Sequence, residues 1–228
     1  MTDISLKEMA ANAVHFGHPT HKWNPKMKAY LFGSRYGIHI FDLQKTAKYF
    51  VKALDFLADA VQKNKEILFV GTKQQCRRLL QDIKDTTGMP IVTDKWIPGL
   101  LTNYKTIKER IDYFKSLKEQ DKKGEFVKYT KKEQLKLRKK IQELSASLSG
   151  VENMTSLPDM LFVVDIVRDN IAVKEARRLH IPVVAIVDSN SDPDLVDYVI
   201  PANDDAIKSL AYILGMVKEA ITKKAKKI

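Results

Sequence analysis

The stretch Glu66–Thr72, EILFVGT, is a continuous apolar run that closes on Gly and Thr. Nothing polar interrupts it, so neither face of an extended strand there suits water. Strands covered on both faces, as in a parallel sheet, read this way. The pattern returns as LFVVD (Leu161–Asp165) and PVVAIVD (Pro182–Asp188), each ending in Asp, and in shorter form as YVIP (Tyr198–Pro201). Helical stretches separate these runs, over Lys73 to about Asp85, Ile171 to Leu179, and Asp204 to about Thr222. This alternation predicts an α/β chain with an open, mostly parallel sheet and helices on both faces.

Upstream, Ser5 is placed to cap a short helix through Ala13, with Glu8 three residues on as its capping-box partner. The stretch HFGHPTHKWNP (His15–Pro25) follows. Pro19 and Pro25 keep it from being helical, and it reads as a structured loop. YLFGSRYGIHIF (Tyr30–Phe41) reads as two short strands around a Gly-containing turn. Asp42 then caps a helix to about Asn64, in which Ala47, Phe50, Val51, Leu54, Leu57, Ala58 and Val61 share one face.

The rhythm breaks between Asn103 and Gly150. Tyr104, Ile107, Ile111, Phe114 and Leu117 step by three or four, and so do Leu137, Ile141, Leu144 and Leu148. Each series is a narrow apolar stripe that can cover only a partner helix. KKGEFVKYT joins them, with a breaker Gly and then Thr130-x-x-Glu133, a capping box. This predicts an antiparallel hairpin like a short coiled coil, projecting from the sheet. The chain divides accordingly into a sheet domain, 1–102 and 151–228, and an inserted basic hairpin, 103–150.

Charge is concentrated in that insertion. Lys105–Lys140 holds 14 Lys or Arg against six acids, a net +8 of the +11 carried by all 228 residues. A solvated face would mix the signs evenly; this excess suits a phosphate backbone. No apolar run nears the ~20 residues needed to span a bilayer. The N-terminus has neither a basic start followed by an apolar block nor an Arg/Ser-rich composition, so it reads as neither a secretory signal nor a transit peptide. The single Cys76 excludes an intrachain disulfide and suits a reducing compartment.

The motifs of chemistry are thin. FVGTKQQ has one glycine and neither nucleotide-binding fingerprint, so Gly71 reads as a tight strand-to-helix turn. DSNSDPD offers Asp188, Asp192 and Asp194 as a magnesium site or, equally, as ordinary turn chemistry. No G-x-S-x-G nucleophile is present, and Cys76 has no motif around it. His15, His18 and His21 lack the further ligands of a structural zinc site, and no general-base motif accompanies a three-His one. The expectation is therefore no catalytic residue, no metal and no cofactor. Instead, Lys22, Trp23, Asn24, Lys26 and Lys28 interleave cations with an aromatic, as phosphate-gripping and base-stacking surfaces do. Asp94–Lys105 repeats this with Lys95, Trp96, Asn103, Tyr104 and Lys105. Both indole bodies are expected in the core, with polar neighbours exposed.

Six motifs in order carry a family resemblance. They are VHFGHPTHKWNPKM (Val14–Met27), GIHIFDLQKT (Gly37–Thr46), ILFVGTKQQ (Ile67–Gln75), KWIPGLLTN (Lys95–Asn103), LPDMLFVVD (Leu157–Asp165) and IPVVAIVDSNSDPDLVDYVIPANDDAI (Ile181–Ile207). Together, from about Ile4 to about Glu219, they resemble the bacterial and organellar type of the second protein of the small ribosomal subunit. Departures are Pro98, where that family has Gly, and Ser191, near which it often has Cys or Thr. The resemblance implies a flavodoxin-like three-layer α/β/α fold with an inserted helical hairpin. It implies a non-catalytic structural constituent of the small subunit, lying between head and body. Its partners would be small-subunit ribosomal RNA and neighbouring proteins, including the large messenger-capturing one, with no membrane and no small-molecule substrate. It places 1–41 on an RNA-facing side, and a cytoplasmic bacterial ribosome, or a plastid or mitochondrial one, as the location. The RNA-contacting set expected on these grounds is Lys22, Asn24, Lys26, Lys28, Arg35, Lys73, Lys95, Asn103, Lys105, Lys108, Lys131, Lys132, Lys136, Arg138 and Lys139.

Overall fold

The computed structural model describes residues 4–225. Five parallel strands form the central sheet: β4 (Ile67–Val70), β5 (Ile91–Val92), β6 (Met160–Val163), β7 (Val183–Val187) and β8 (Tyr198–Pro201), in the order β5-β4-β6-β7-β8. Renumbered along the chain this is 2-1-3-4-5, the flavodoxin-like order. Every residue of β4, β6 and β7 is buried. Alternate side chains serve different layers, as the period of two requires. Ile67, Phe69, Phe162 and Ile186 pack with α1 (Leu6–Ala11), α2 (Leu43–Gln62), α3 (Arg77–Thr87) and α7 (Ile207–Ala225). Leu68, Val70, Val163 and Ala185 pack on the opposite face with α6 (Asn170–Arg178) and the root of a long helical hairpin. Among the described residues no helix is long and apolar enough to cross a membrane.

A second, antiparallel sheet of order β1-β3-β2 sits before this domain, from β1 (Phe16–Pro19), β2 (Leu31–Arg35) and β3 (Ile38–Phe41). The expected loop at His15–Pro25 is corrected here, because its first residues form β1. Pro19 can occupy β1 because the strand lies at the sheet edge and the proline at its end. The two-residue β5 also escaped the sequence reading; it is too short to show a period. Helix starts shift for visible reasons. Residues 74–76 form a 3-10 turn, so α3 begins at Arg77, and Gly88 ends it in the left-handed region at φ 76°. Asn203 accepts from the Asp205 and Ala206 amides, which holds Asp204 and Asp205 outside α7. The Asp42 cap stands as expected, accepting from the Gln44 and Lys45 amides.

The hairpin consists of α4 (Tyr104–Lys122) and α5 (Lys131–Leu148) packed against each other. Ile107, Ile111, Phe114 and Leu117 of α4 are buried with Leu144 and Leu148 of α5, and Phe126 of the connection seals the far end. Gly124 turns the chain at φ 70°, and Thr130 and Glu133 form the reciprocal capping box. The apolar stripe runs without a gap into the sheet core. Where the chain re-enters the sheet, Gly150 lies flat against β5, and the Ile91 amide donates to its carbonyl at 3.1 Å. A Cβ at position 150 would collide with the Ile91 carbonyl oxygen.

Three outcomes follow from this packing. Gly150→Ala lowers thermal stability by about 1–3 kcal/mol, because backbone rather than a mobile side chain must move. Gly33→Ala, whose Cβ meets nothing within 4 Å, leaves the melting curve in place. Thr130→Ala costs the hairpin about 0.5–2 kcal/mol, seen as faster amide exchange in the first turn of α5 with β4 amides unchanged.

Candidate nucleic-acid interface

Open α/β sheets bind ligands beyond the carboxyl ends of their strands, where the strand order reverses. Here that point lies between β4 and β6. Lys73, two residues past Gly71, turns into it and is buried. Its ammonium lies 2.9 Å from Asp165 after β6, and 2.7 Å from both Asp204 and Asp205 after β8. The Thr72 amide and hydroxyl donate to Asp169 at 3.2 and 2.8 Å, and the Arg168 Nε donates to the Thr72 hydroxyl at 2.8 Å. Burial and the neighbouring Asp188 and Asp165 push the Asp204 carboxyl up. Burial alone would lower the Lys73 ammonium, but its carboxylate partners outweigh it and raise it. The crevice is thus filled by protein and lined with carboxylates, which repel phosphate. Gly71 serves packing, since a Cβ there would meet Cys76 Sγ at 2.7 Å and Leu80 at 2.8 Å. Burial pushes the Cys76 thiol up to about 11, and the thiol donates to the Gly71 and Lys73 carbonyls, so it is no nucleophile.

The histidine-rich stretch is pinned to the end of β7. The Ser189 hydroxyl accepts from the His18 amide at 2.8 Å, and the Asn24 amide donates to the Ser189 carbonyl at 2.7 Å. Gly17 has no room for a side chain, because a Cβ would sit 2.8 Å from Ser189 Oγ. His18 places Nδ1 3.1 Å from Asp188 and Nε2 3.3 Å from Asp205. The Asp188 hydrogen bond, ahead of burial, sets its shift, and the imidazole pKa is raised. Donor atoms of His18, Asp188 and Asp204 all lie within 4.8 Å of one another, a set that could hold a divalent cation. Sequence spacing missed this set, because it weighed His15 and His21 with His18, and folding instead brings in two aspartates. His39, with both ring nitrogens buried and without a hydrogen-bond partner, lies 4.9 Å from the Trp23 ring.

Folding divides the predicted RNA set. Lys73 leaves it, because its ammonium is buried among three carboxylates. Lys26 is held by Asp192 at 2.8 Å and Asp194 at 2.7 Å, which also removes those aspartates from the magnesium reading. Asn24 spends its side-chain oxygen capping the turn that begins at Pro25, accepting from the Lys26 amide. The Asn103 side chain accepts from Thr106, and the Lys108 ammonium lies 3.5 Å from the Thr155 carbonyl. Trp96 is core, as expected, while Trp23 is half-buried.

The rest is exposed. Lys22, Lys28, Arg35, Lys95 and Lys105 face solvent, and Arg35 lies 5.3 Å from the Tyr36 ring. On the hairpin Lys131, Lys132, Lys136 and Lys139 are exposed, and among the described residues no carboxylate lies within 4.0 Å of their ammonium groups. Arg138 reaches Asp121 at 3.4 Å with its side chain 61% exposed. Two aromatics that sequence reading did not single out stand almost free on the small sheet, Phe32 at 81% and Tyr36 at 89%. Phe32 lies between Leu31 and Gly33 and Tyr36 between Arg35 and Gly37, so no alternating pattern marks them.

Comparison with known proteins gives the family. The family model described as ribosomal protein S2 matches residues 9–224. The protein named small ribosomal subunit protein uS2 in Petrotoga mobilis is 47% identical over 221 residues, 97% of this chain and 77% of that one. Its namesake in Geotalea uraniireducens is 48% identical over 97% of this chain and 86% of its own. A third, from Nitratiruptor sp., is 47% identical over 96% of this chain and 82% of its own. The family model covers nearly the whole chain and these relatives approach half identity over it, so the chain belongs to the ribosomal protein S2 family.

Proposed function

We propose that this chain is a structural, non-catalytic constituent of the small ribosomal subunit in the bacterial cytoplasm, docking on small-subunit ribosomal RNA between head and body. The relatives carry the name of a small-subunit protein. The observation that carries the RNA reading is the cationic hairpin, whose Lys131, Lys132, Lys136 and Lys139 have no carboxylate within 4.0 Å among the described residues. Lys131 and Lys132 occupy the first two positions of α5. Cations there oppose the helix dipole by about 0.3–1 kcal/mol each. That placement works against the isolated hairpin and favours an anionic partner. Lys105 and Lys108 extend the same charge along α4. Lys22, Lys28, Arg35 and Lys95 supply short-range contacts, while the closed sheet domain supplies rigid shape. The large messenger-capturing protein is the proposed protein neighbour.

Counterion release makes such docking fall steeply with salt, with a log–log slope of about 0.9 per phosphate engaged on a duplex. Replacing Lys131, Lys132, Lys136 and Arg138 together with Gln lowers occupancy in purified small subunits and flattens that slope. The melting temperature does not fall, since exposed charges contribute little to folding and Lys131 and Lys132 oppose the dipole of α5. Sedimentation of lysate reads the result. Wild-type occupancy of the variant sinks the proposal, as does a wild-type protein that sediments free of small subunits.

A further inference from the structure

The hairpin must be aimed as well as charged, and its aim is set at its root. The chain enters α4 through residues 96–103, a segment with no regular structure. Leu100 donates to the Ile97 carbonyl, with Pro98 and Gly99 between them and Gly99 at φ 87°. This is a type II turn, which accepts Pro at its second position and needs Gly at its third. Such a segment is a natural pivot unless something fixes it.

One side chain fixes it. Glu175 projects from α6 and is buried. Its Oε1 accepts from the Trp96 indole N–H at 3.0 Å and the Gly99 amide at 2.7 Å. Its Oε2 accepts from the Leu101 amide, the Thr102 amide and the Thr102 hydroxyl, each at 3.1 Å. Five donors from seven consecutive residues thus converge on one carboxylate, and among the described residues no Lys or Arg pairs with it. Burial pushes this carboxyl up, but the Trp96 and backbone donors outweigh burial and hold it below its ordinary range. A charge balanced only by oriented N–H and O–H dipoles tolerates little displacement of those dipoles. Thr102 is two residues before α4 begins. The helix behind Glu175 is seated on the sheet through Ala172, Val173 and Ala176.

We propose that Glu175 is a positioning residue for RNA docking: its carboxylate gathers the 96–102 segment and locks the direction in which the basic hairpin leaves the sheet. The exit side is already held by Gly150 against Ile91, by Lys84 on the Ser149 carbonyl at 2.7 Å and by Tyr104 on the Met154 carbonyl at 3.0 Å. Two anchored strands of chain make the hairpin a lever of fixed angle, and releasing one leaves it pivoting on the other. The inference rests on the RNA reading above for its consequence, not for its geometry.

The test uses the full chain with Glu175→Gln, which keeps the side-chain volume but removes the charge and turns an N–H group toward donors. Spin labels at Asp55→Cys on α2 and Lys123→Cys at the hairpin tip report the angle; native Cys76 is buried and does not react. The expected result is a broadened interlabel distance distribution. RNA affinity falls by on the order of tenfold and the salt slope falls by about 0.9 for each phosphate no longer reached. A residue that only stabilised the fold would lower the fraction of active protein and leave the slope and the distance distribution of the folded fraction unchanged, and that outcome overturns the proposal. Trp96→Phe, which removes one donor and keeps a ring, serves the same comparison if the first variant does not fold. Failure of both to fold also overturns it, by making the clamp a determinant of folding. If the hairpin Lys/Arg→Gln variant binds small-subunit RNA like wild type, the RNA reading fails while the distance measurement still decides whether Glu175 sets the angle.

Discussion

The structure depends on one buried ion cluster, the Lys73 ammonium among Asp165, Asp204 and Asp205. Taking these charges out of water is costly, and removing one partner from a buried pair costs about 3–5 kcal/mol because the others are left uncompensated. The cluster ties the loops after β4, β6 and β8 together at the edge where a flavodoxin-like sheet would otherwise open for a ligand. Through Asp205 it also reaches His18, and so the N-terminal sheet. The same contacts that close the crevice to nucleotides give the small β1-β3-β2 sheet a fixed seat.

Rigidity at one end and charge at the other explain how one chain holds two kinds of surface. The sheet domain pairs several of its polar groups internally: Asp169 with Thr72, Glu175 with the 96–102 segment, Lys26 with Asp192 and Asp194. The hairpin leaves Lys131, Lys132, Lys136 and Lys139 of α5 without a carboxylate partner among the described residues and buries only a narrow seam. Two helices in contact along one stripe have little apolar area to hold a direction of their own. Their orientation has to come from the root, where side-chain hydrogen bonds gather between Trp96 and Thr102 and around Ser149–Met154.

Much of the fold was legible in the sequence, because it is written in local patterns. The runs at Glu66, Leu161 and Pro182 are apolar throughout, since both faces of those strands are covered. Asp42 and Thr130 are caps whose chemistry needs only the next three residues. What escaped depends on residues far apart in the chain. Lys73 looks like any surface lysine after a strand until Asp165 and Asp204 fold over it. His18 was weighed with its sequence neighbours His15 and His21, whereas its actual neighbours are Asp188 and Asp205. Lys26 and Asn24 carry the right chemistry for RNA but spend it within the protein. The strand β1 was hidden by Pro19, whose effect on a strand depends on whether that strand lies at an edge.

The same distinction separates the two aromatic and cationic stretches that look alike in sequence. His15–Pro25 and Asp94–Lys105 both place a Trp beside lysines. In the second, the indole N–H is committed to Glu175 and the ring is core, so the stretch shapes a turn, with Lys95 and Lys105 looking outward. In the first, Trp23 lies against His39, whose two ring nitrogens have no hydrogen-bond partner among the described residues. A buried donor or acceptor without a partner costs on the order of 1–3 kcal/mol. The Trp96 indole N–H, by contrast, has its acceptor in Glu175. Residue types alone assign both stretches to one role. Partnering divides them, the indole of one bonded to Glu175 at the root of the hairpin and the imidazole beside the other keeping two buried ring nitrogens unpaired among the described residues.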